Sequence, residues 1–435
     1  MIQQTSLKTQ LNLLLNFNAE IEPRLTPQRS NLPMVLVISF THAMVHLAEQ
    51  SFSSVEQVVC GEFRLSMEQS GYYGSLLRIP FGFGAFLTGM LADRVGASRV
   101  LTLYLTGTAV VCLSFLFTSS AQILALQLFV LGAFASMYHP AGLSMMTSIT
   151  TPQDRAKALG IHGVFGSLGL GGAPLLAGVV LLIPNGTWRT FFMALGLLAA
   201  VLVFVFRWGN KRFSAHAFEN AAAPVTGISP GDQERSRVFT PTQLQIRPFV
   251  ILMFSSACSG IVYGGFLHFL KRYLSDVKSF DFLPINQDSI ASVLAALVLF
   301  CGVAGQWVSG SIASPRRLAP MLSMIYLANV PLLLWIAMAT GSMRLLPCCL
   351  LGFVHFMNQP VYNSLLPDYV PAKTRSTWFG FSQMMTFGIG ALGPTLVGWC
   401  GDFQVAFAAL AAISLLAGLL PIPIWLERHK QFAVD

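Results

Sequence analysis

The chain repeats itself at a fixed distance, because residues 137–178 recur at 357–398 without a gap. At an offset of 220 residues the repeat pairs Gly132 with Gly352, Pro140 with Pro360, Ser144 with Ser364, Arg155 with Arg375, Gly160 with Gly380, Pro174 with Pro394 and Gly178 with Gly398. Most of these matches fall on helix breakers and tight-packing residues, where backbone geometry restricts the choice of side chain. The repeat therefore predicts two halves of similar structure.

The composition places these halves in a membrane. Of the 435 residues, 54% are hydrophobic and only 10% are charged, and the mean hydropathy is +0.64. Soluble globular proteins average about 25% charged residues, so a water-soluble multidomain protein is excluded. The apolar runs, about 20 to 28 residues long, can cross a ~30 Å hydrocarbon core as helices, and they lack the alternation of a transmembrane barrel.

Twelve apolar runs predict twelve membrane-spanning helices, called spans 1 to 12 in chain order. They cover 32–57, 70–92, 98–118, 122–147, 156–183, 188–208, 247–272, 288–313, 318–340, 344–366, 376–400 and 403–426. We therefore predict an all-α membrane protein with two pseudo-symmetric six-helix halves at 32–208 and 247–426. The polar stretch 209–246 is the predicted cytoplasmic linker, and the predicted terminal segments are 1–31 and 427–435.

The basic residues predict the orientation. With the N-terminus in the cytoplasm, 19 of the 26 Lys and Arg residues fall in cytoplasmic segments, six in outer segments and Arg78 within a span. Because cytoplasmic loops are enriched in Lys and Arg, we expect both termini in the cytoplasm of a multi-pass protein in a bacterial inner membrane. The net charge of +8 then faces lipid headgroups, so no nucleic-acid partner is expected.

A short motif joins spans 2 and 3. The segment Gly89-Met-Leu-Ala-Asp93-Arg94-Val-Gly96-Ala-Ser-Arg99 resembles the loop signature of the major facilitator superfamily, G-x-L-a-D-r-x-G-r-k. Glycines allow a sharp turn there, and a carboxylate can face the positive N-terminus of a neighbouring helix. The resemblance implies the twelve-helix facilitator fold over the whole chain, and a gating loop whose Asp93 helps to close the cytoplasmic side.

Two further motifs support the resemblance. Span 5 carries Gly169, Pro174 and Gly178 in a run similar to the superfamily's antiporter motif, and span 11 carries Gly393, Pro394 and Gly398. Small residues let helices pack closely and proline introduces a kink, so ordinary packing is an equally good interpretation.

Short motifs in spans 1 and 4 suggest a branch of the superfamily. Thr41-His42 and Tyr138-His139-Pro140 resemble the helix 1 and helix 4 motifs of the fosmidomycin-resistance-like branch. That branch has an Asn-Asp pair where this chain has Val45-His46, so its helix 1 acid is missing and Glu49 is the nearest substitute.

Ionisable residues inside the spans are the candidates for chemistry. His42, His46 and Glu49 follow one another at helical spacing, and the resemblance implies that spans 1, 4, 7 and 10 line a central cavity. Intramembrane charges tend to face such a cavity, and histidine titrates near neutral pH. The predicted proton-coupling and substrate residues are His42, His46, Glu49, Arg78, Tyr138, His139, Tyr263, His355, Asn358 and Gln359.

Other titratable residues have simpler interpretations. His162 on span 5 is expected to be a hydrogen-bonded packing residue, and His268, Lys271 and Arg272 are expected to extend towards the membrane surface. Arg78 needs a partner or an anionic substrate, and Glu49 is the candidate partner. The seven cysteines show no metal-binding or redox spacing, so no metal is predicted.

These observations predict a secondary transporter of a small organic solute that works by alternating access, most simply a proton-coupled exporter. Uptake by symport, facilitated diffusion, and a receptor or scaffold that has lost transport remain alternatives. A membrane enzyme is disfavoured because no nucleophile–base or metal-ligand set is concentrated in the sequence, and the chain has no phosphate-binding G-x-x-x-x-G-K-[ST] run. We expect a monomer in the lipid bilayer, without a cofactor.

Overall fold

The structure, a computed structural model, describes residues 31–150, 152–222, 241–278, 286–371 and 375–434. These ranges are built from helices, and no strand occurs within them. The predicted all-helical fold with two six-helix halves is confirmed.

The first half begins with an interrupted helix. Its helices are Leu32–Glu49 and Ser51–Phe63 in span 1, Met67–Val95 in span 2, Ala97–Ser114 with the 3-10 turn Phe115–Phe117 in span 3, Ala121–Ala135 and Tyr138–Ser148 in span 4, Pro152–Leu182 in span 5, and Trp188–Ala222 in span 6. The near end of the bundle is where span 1 begins at Leu32, and the far end is where it ends at Phe63.

The second half follows the same plan. Its helices are Ile246–Leu274 in span 7, Gln287–Ile312 in span 8, Leu318–Met338 in span 9, Leu345–Phe356 and Asn358–Leu365 in span 10, Arg375–Gln383 and Leu392–Cys400 around the π-helical turn Met384–Ile389 in span 11, and Phe403–Leu419 with Ile422–Val434 in span 12. Among the described helices, ten are long and apolar enough to cross a membrane. Spans 10 and 11 are not among these ten, because each is divided into shorter helices.

Several helices extend beyond their predicted ends. Span 6 continues from the predicted end at 208 to Ala222, and the last helix continues from 426 to Val434, so helix occupies part of the predicted linker and tail. The physical reason is that hydropathy marks where the bilayer ends, whereas backbone hydrogen bonds can continue a helix into water. The rest of the predicted linker, residues 223–240, and the predicted segment 1–30 lie outside the described residues.

The repeat is visible in spans 4 and 10, which are interrupted at equivalent positions. Span 4 breaks before Tyr138 and span 10 breaks before Asn358, each two residues ahead of a proline of the repeat. Proline lacks the N–H that would bond the carbonyl four residues earlier, so the same residue weakens both helices at the same place. The breaks set the direction of the short helices that carry His139 and Gln359.

Span 5 uses its glycines to approach two different neighbours. A Cβ atom added to Gly169 would clash with the backbone carbonyl of Ala43 in span 1, and one added to Gly178 would lie 3.0 Å from Ser292 Cβ in span 8. Pro174 lies inside the helix between them. One glycine of the motif therefore packs the span within its own half, and the other packs it against the opposite half.

Span 11 repeats this arrangement. A Cβ atom on Gly393 would clash with the carbonyl of Ile261 in span 7, and one on Gly398 would lie 2.7 Å from the carbonyl oxygen of Met67 in span 2. The carbonyl of the intervening Pro394 lies against Gly71. The two motifs thus serve close packing, both within and between the halves.

This packing predicts the effect of adding one methyl group. Gly393→Ala should lower the free energy of unfolding by about 1–3 kcal/mol, because the backbones of spans 7 and 11 must separate. Gly163→Ala is the matched control, since a Cβ atom there meets nothing within 4 Å. Thermal unfolding of the purified protein in detergent measures both, and equal midpoints for the two variants would contradict the close contact.

Candidate functional site

A buried carboxylate, Glu49, lies near the middle of span 1, where its helix is interrupted. It is 1% exposed and accepts hydrogen bonds from His46 Nδ1 (2.8 Å), Arg78 Nη1 (3.0 Å) and the Tyr263 hydroxyl (3.2 Å). His46 and Arg78 belong to the first half, whereas Tyr263 belongs to the second. Glu49 therefore connects the two halves in the interior of the bundle.

Both terminal nitrogens of Arg78 have hydrogen-bond acceptors within this cluster. Its Nη1 donates to Glu49 and its Nη2 donates to Gln50 Oε1 (3.0 Å), while its guanidinium carbon lies 5.4 Å from the centre of the Tyr263 ring. Removing one partner from a buried ion pair costs about 3–5 kcal/mol, because the other charge is left without compensation. The pairing of Arg78 with Glu49 agrees with the partner that the sequence suggested.

Four histidines of the first half form a cluster next to the ion pair. His42 Nε2 lies 3.2 Å from His46 Nε2, and the His139 ring lies 5.5 and 5.4 Å from their two rings, centre to centre. The ring of His162 stacks on His42 at 3.8 Å. The structure thus brings His42, His46 and His139 together with Glu49.

His162 has a larger part in this network than the sequence suggested. Its carbonyl accepts a hydrogen bond from His42 Nδ1 (2.7 Å), and its ring Nε2 lies 2.9 Å from the Tyr138 hydroxyl, which itself donates to the carbonyl of Ile38 (3.0 Å). These bonds agree with the expectation of a hydrogen-bonded packing residue and also place His162 against the candidate cluster. The sequence signal for this position is that His162 immediately precedes the glycine-rich run of span 5.

The candidates on span 10 are held apart from the charged cluster. His355 Nδ1 lies 3.0 Å from Asn329 Nδ2, and Asn358 donates to the carbonyl of His355. Gln359 accepts a hydrogen bond from Gln306 Nε2 (2.8 Å). Their connection to Glu49 runs through Tyr263, whose ring lies 6.2 Å from that of His355.

Three of the histidines have the arrangement of a candidate metal site, although the sequence predicted none. One ring nitrogen from each of His42, His46 and His139 lies within 4.8 Å of the others. Neutral imidazole nitrogens are ligands for zinc and related transition metals. The sequence did not reveal this group because the third ligand comes from another span.

A second charged cluster joins the halves towards the far end. Arg272 of span 7 donates to both carboxylate oxygens of Glu56 in span 1, at 2.9 and 2.6 Å, and Ser70 of span 2 also donates to Glu56. His268 Nε2 lies 3.1 Å from the same Ser70 hydroxyl. The halves are therefore linked at this end by a partly buried ion pair.

The expectation that His268 and Lys271 extend to the membrane surface is wrong. They are 1% and 3% exposed, and Lys271 Nζ donates to the carbonyl of Ser54 at 3.0 Å, with Asp288 Oδ1 at 3.7 Å. The physical reason is that Ser54 and Ser70 of the first half offer oxygen atoms to these side chains inside the bundle. Spacing along span 7 alone could not show those acceptors.

Comparison with known proteins identifies the family. The model of the Major Facilitator Superfamily matches residues 38–394. The chain belongs to this superfamily.

Its relatives within the superfamily have different names. The probable sulfoacetate transporter SauU of Cupriavidus necator is 24% identical over 89% of this chain and 93% of its own length. The membrane sensor protein UhpC of Salmonella typhimurium is 23% identical over 94% of each chain. A crystal structure of a peptide transporter in complex with alafosfalin superposes with a TM-score of 0.71 at 14% identity, covering 93% of this chain and 97% of the other, which supports the fold.

The superfamily's loop signature lies mostly on a helix in this chain. Asp93 and Arg94 are exposed on the last turn of span 2, and only Gly96, at φ +91°, separates this helix from span 3. Arg99 donates from Nη1 to the carbonyl of Val95 (3.1 Å). Gly89, the first residue of the signature, packs against Pro140, with 3.6 Å between its ideal Cβ position and Pro140 Cβ. The gating role implied for Asp93 also predicts a contact with the start of span 11, around residues 373–377, but residues 373 and 374 lie outside the described residues.

Proposed function

We propose that this superfamily transporter moves a small organic solute by alternating access and exports it in exchange for protons. The observation that carries the proposal is the buried Glu49–Arg78 ion pair, which bonds to the second half through Tyr263. A solute or proton that reaches this pair acts on both halves at once. One charge moving through ~100 mV supplies ~2.3 kcal/mol, enough for a roughly 50-fold gradient, so no nucleotide is required.

The proposed substrate and proton-coupling cavity lies around this pair. Both charged groups, three of the imidazoles and one tyrosine come from the first half, whereas spans 7 and 10 supply the other tyrosine, one imidazole and the two amides. This division suits a solute that carries both a charge and a polar or apolar part. The assigned residues are His42, His46, Glu49, Arg78, Tyr138, His139, Tyr263, His355, Asn358 and Gln359.

Two other functions are compatible with the same fold. Uptake by symport or facilitated diffusion would use the same cavity in the opposite direction. A receptor without transport is favoured by one observation, the similarity to the membrane sensor protein UhpC over 94% of each chain. Transport assays separate the three, because a receptor binds solute without moving it.

We also propose the finer family placement and the membrane orientation. Thr41-His42 and Tyr138-His139-Pro140 support a place in the fosmidomycin-resistance-like branch. The excess of basic residues supports a bacterial inner membrane with the near end of the bundle in the cytoplasm.

Alternating access further requires a latch at each end. We assign the far-end latch to the Arg272–Glu56 pair, which joins the two halves. The near-end latch is assigned to Asp93 in the signature segment Gly89, Asp93, Arg94, Gly96 and Arg99, because span 11 packs against span 2 in this region.

The transport prediction concerns the central ion pair. In proteoliposomes with an imposed pH gradient, the wild-type protein should move a small organic acid, with radiolabelled sulfoacetate tried first. Glu49→Gln should lower the rate at least about tenfold, because Arg78 loses its charge partner in a buried site. Glu427→Gln, which removes an exposed ion pair with Arg247, should leave the rate within about twofold.

A double variant keeps this test decisive if Glu49→Gln folds poorly. Glu49→Gln combined with Arg78→Gln removes both charges, so it should fold better than Glu49→Gln and still fail to transport. Full transport by the double variant would show that the pair has only a structural role. Movement of solute only down its own gradient, whatever the pH gradient, would instead support facilitated diffusion, and accumulation without any dependence on the pH gradient would support another coupling ion.

The latch prediction uses distances between spin labels. With the native cysteines replaced and labels at Glu68→Cys and Lys278→Cys on opposite halves of the far end, Glu56→Gln should lengthen or broaden the measured distance. Glu62→Gln is the matched control, because Glu62 pairs with Arg189 inside the first half. If the control and Glu56→Gln give the same distances, the far-end pair is not a latch.

The same method tests the near end. Asp93→Asn should lengthen distances between labels at Lys211→Cys and Arg317→Cys while leaving the far-end distance unchanged. An unchanged near-end distance would leave Asp93 as an ordinary exposed charge.

The topology prediction places the linker in the cytoplasm. A single cysteine at Asp232→Cys should resist a membrane-impermeant thiol reagent applied to intact cells and react in inverted vesicles. Lys278→Cys should show the reverse pattern, because it lies at the far end. Labelling of both positions from outside would contradict the proposed orientation.

A further inference from the structure

Two ring nitrogens of span 1 face each other in an arrangement that needs a cation. His42 Nδ1 lies 2.7 Å from the carbonyl oxygen of His162, and His46 Nδ1 lies 2.8 Å from Glu49 Oε2. A carbonyl and an ionised carboxylate only accept hydrogen bonds, so both Nδ1 atoms carry hydrogen. In neutral rings the two Nε2 atoms then hold lone pairs, and these atoms are only 3.2 Å apart.

Facing lone pairs repel each other unless a positive species lies between them. A shared proton would satisfy His42 and His46 but no other atom. A third imidazole, His139, is close to both, and its Nε2 is buried without a hydrogen-bond partner. A metal ion satisfies one nitrogen of each of the three rings, so it explains more of the geometry than a proton does.

We propose that His42, His46 and His139 form a binding site for a divalent transition-metal ion of the zinc class. Zinc–nitrogen bonds of about 2.0–2.1 Å in a tetrahedral site place two ligand nitrogens about 3.3–3.4 Å apart, close to the 3.2 Å between His42 and His46. The three ligand nitrogens span up to 4.8 Å, so the side chain of His139 must move inwards. It is only half-buried and lies beside the break in span 4.

The surroundings of the three rings match those of metal-binding histidines. Such histidines almost always donate their second ring N–H to a carboxylate or a backbone carbonyl, which fixes the tautomer and orients the ring. Glu49 does this for His46, and the carbonyl of His162 does it for His42. These bonds direct both Nε2 atoms towards one point before any ion is bound.

The ligand set also defines the class of ion. Three imidazole nitrogens suit zinc, cobalt, nickel and copper, whereas magnesium and calcium require oxygen ligands. Three protein ligands leave a fourth tetrahedral position for water or an oxygen atom of a solute. The site shares residues with the proposed cavity, but metal binding requires neither transport nor proton coupling.

Metal binding can be measured directly on the whole protein. The chain is purified with an affinity tag that contains no histidine, stripped with a chelator, and titrated with zinc or cobalt. We expect one tightly bound ion per chain, a cobalt spectrum typical of tetrahedral coordination, and X-ray absorption of the zinc form showing three nitrogen neighbours at about 2.0–2.1 Å.

Variants separate this site from incidental binding. His42→Ala, His46→Ala and His139→Ala should each remove the tight site, and Glu49→Gln should weaken it about 10–100-fold by releasing the His46 ring. His429→Ala, which removes an exposed histidine outside the proposed cavity, should bind as the wild type does.

Three outcomes would overturn the site. The first is zinc affinity that His139→Ala leaves unchanged. The second is binding that disappears only in His429→Ala. The third is a wild-type absorption spectrum with oxygen ligands alone, a measurement that does not depend on any variant folding. Failure of solute transport in the assays above would leave the metal result unaffected, so the two proposals can fail separately.

Discussion

A positive charge buried in the middle of a membrane protein must be neutralised by its neighbours, and this requirement organises the centre of the structure. An arginine at the centre of a membrane helix costs about 2.5–3.5 kcal/mol on insertion scales. The side chain of Arg78 is 4% exposed and meets Glu49 and Gln50, two consecutive residues at the point where span 1 is interrupted. The interruption in span 1 and the ion pair therefore belong to one arrangement, which the second half completes through Tyr263.

Much of the fold could be predicted because its signals are local. Apolar length fixed the number of crossings, and the glycines and prolines at an offset of 220 residues marked the contacts and breaks that the halves share. Gly178 and Gly398 show the physical basis, since each packs its span against the opposite half. The ends of spans 6 and 12 could not be predicted in this way, because their helices continue beyond the apolar residues that define a span.

Within the candidate site, the sequence could predict proximity only for residues on the same helix, span 1. His42, His46 and Glu49 share one face because their spacings are four and three residues, and the structure connects them through His46. The stacking of His162 on His42 and the pairing of Glu56 with Arg272 depend on how spans cross, which periodicity does not encode. His268 and Lys271 of span 7 were accordingly expected at the surface, which is wrong, and no periodicity indicated that His162 of span 5 lies against His42.

The two carboxylate oxygens of Glu49 accept hydrogen bonds from three side chains. A change in the strength of one of these bonds therefore affects the others. One oxygen accepts from His46, while the other accepts from Arg78 and from Tyr263 of the second half. A cation on the histidine cluster would strengthen the bond from His46 to Glu49 and thereby weaken its hold on Tyr263. Because linkage is reciprocal, a conformation in which Tyr263 has already moved away would bind that cation more tightly. Through this one carboxylate, the charge on the histidine cluster of the first half would therefore affect the position of Tyr263 in the second half.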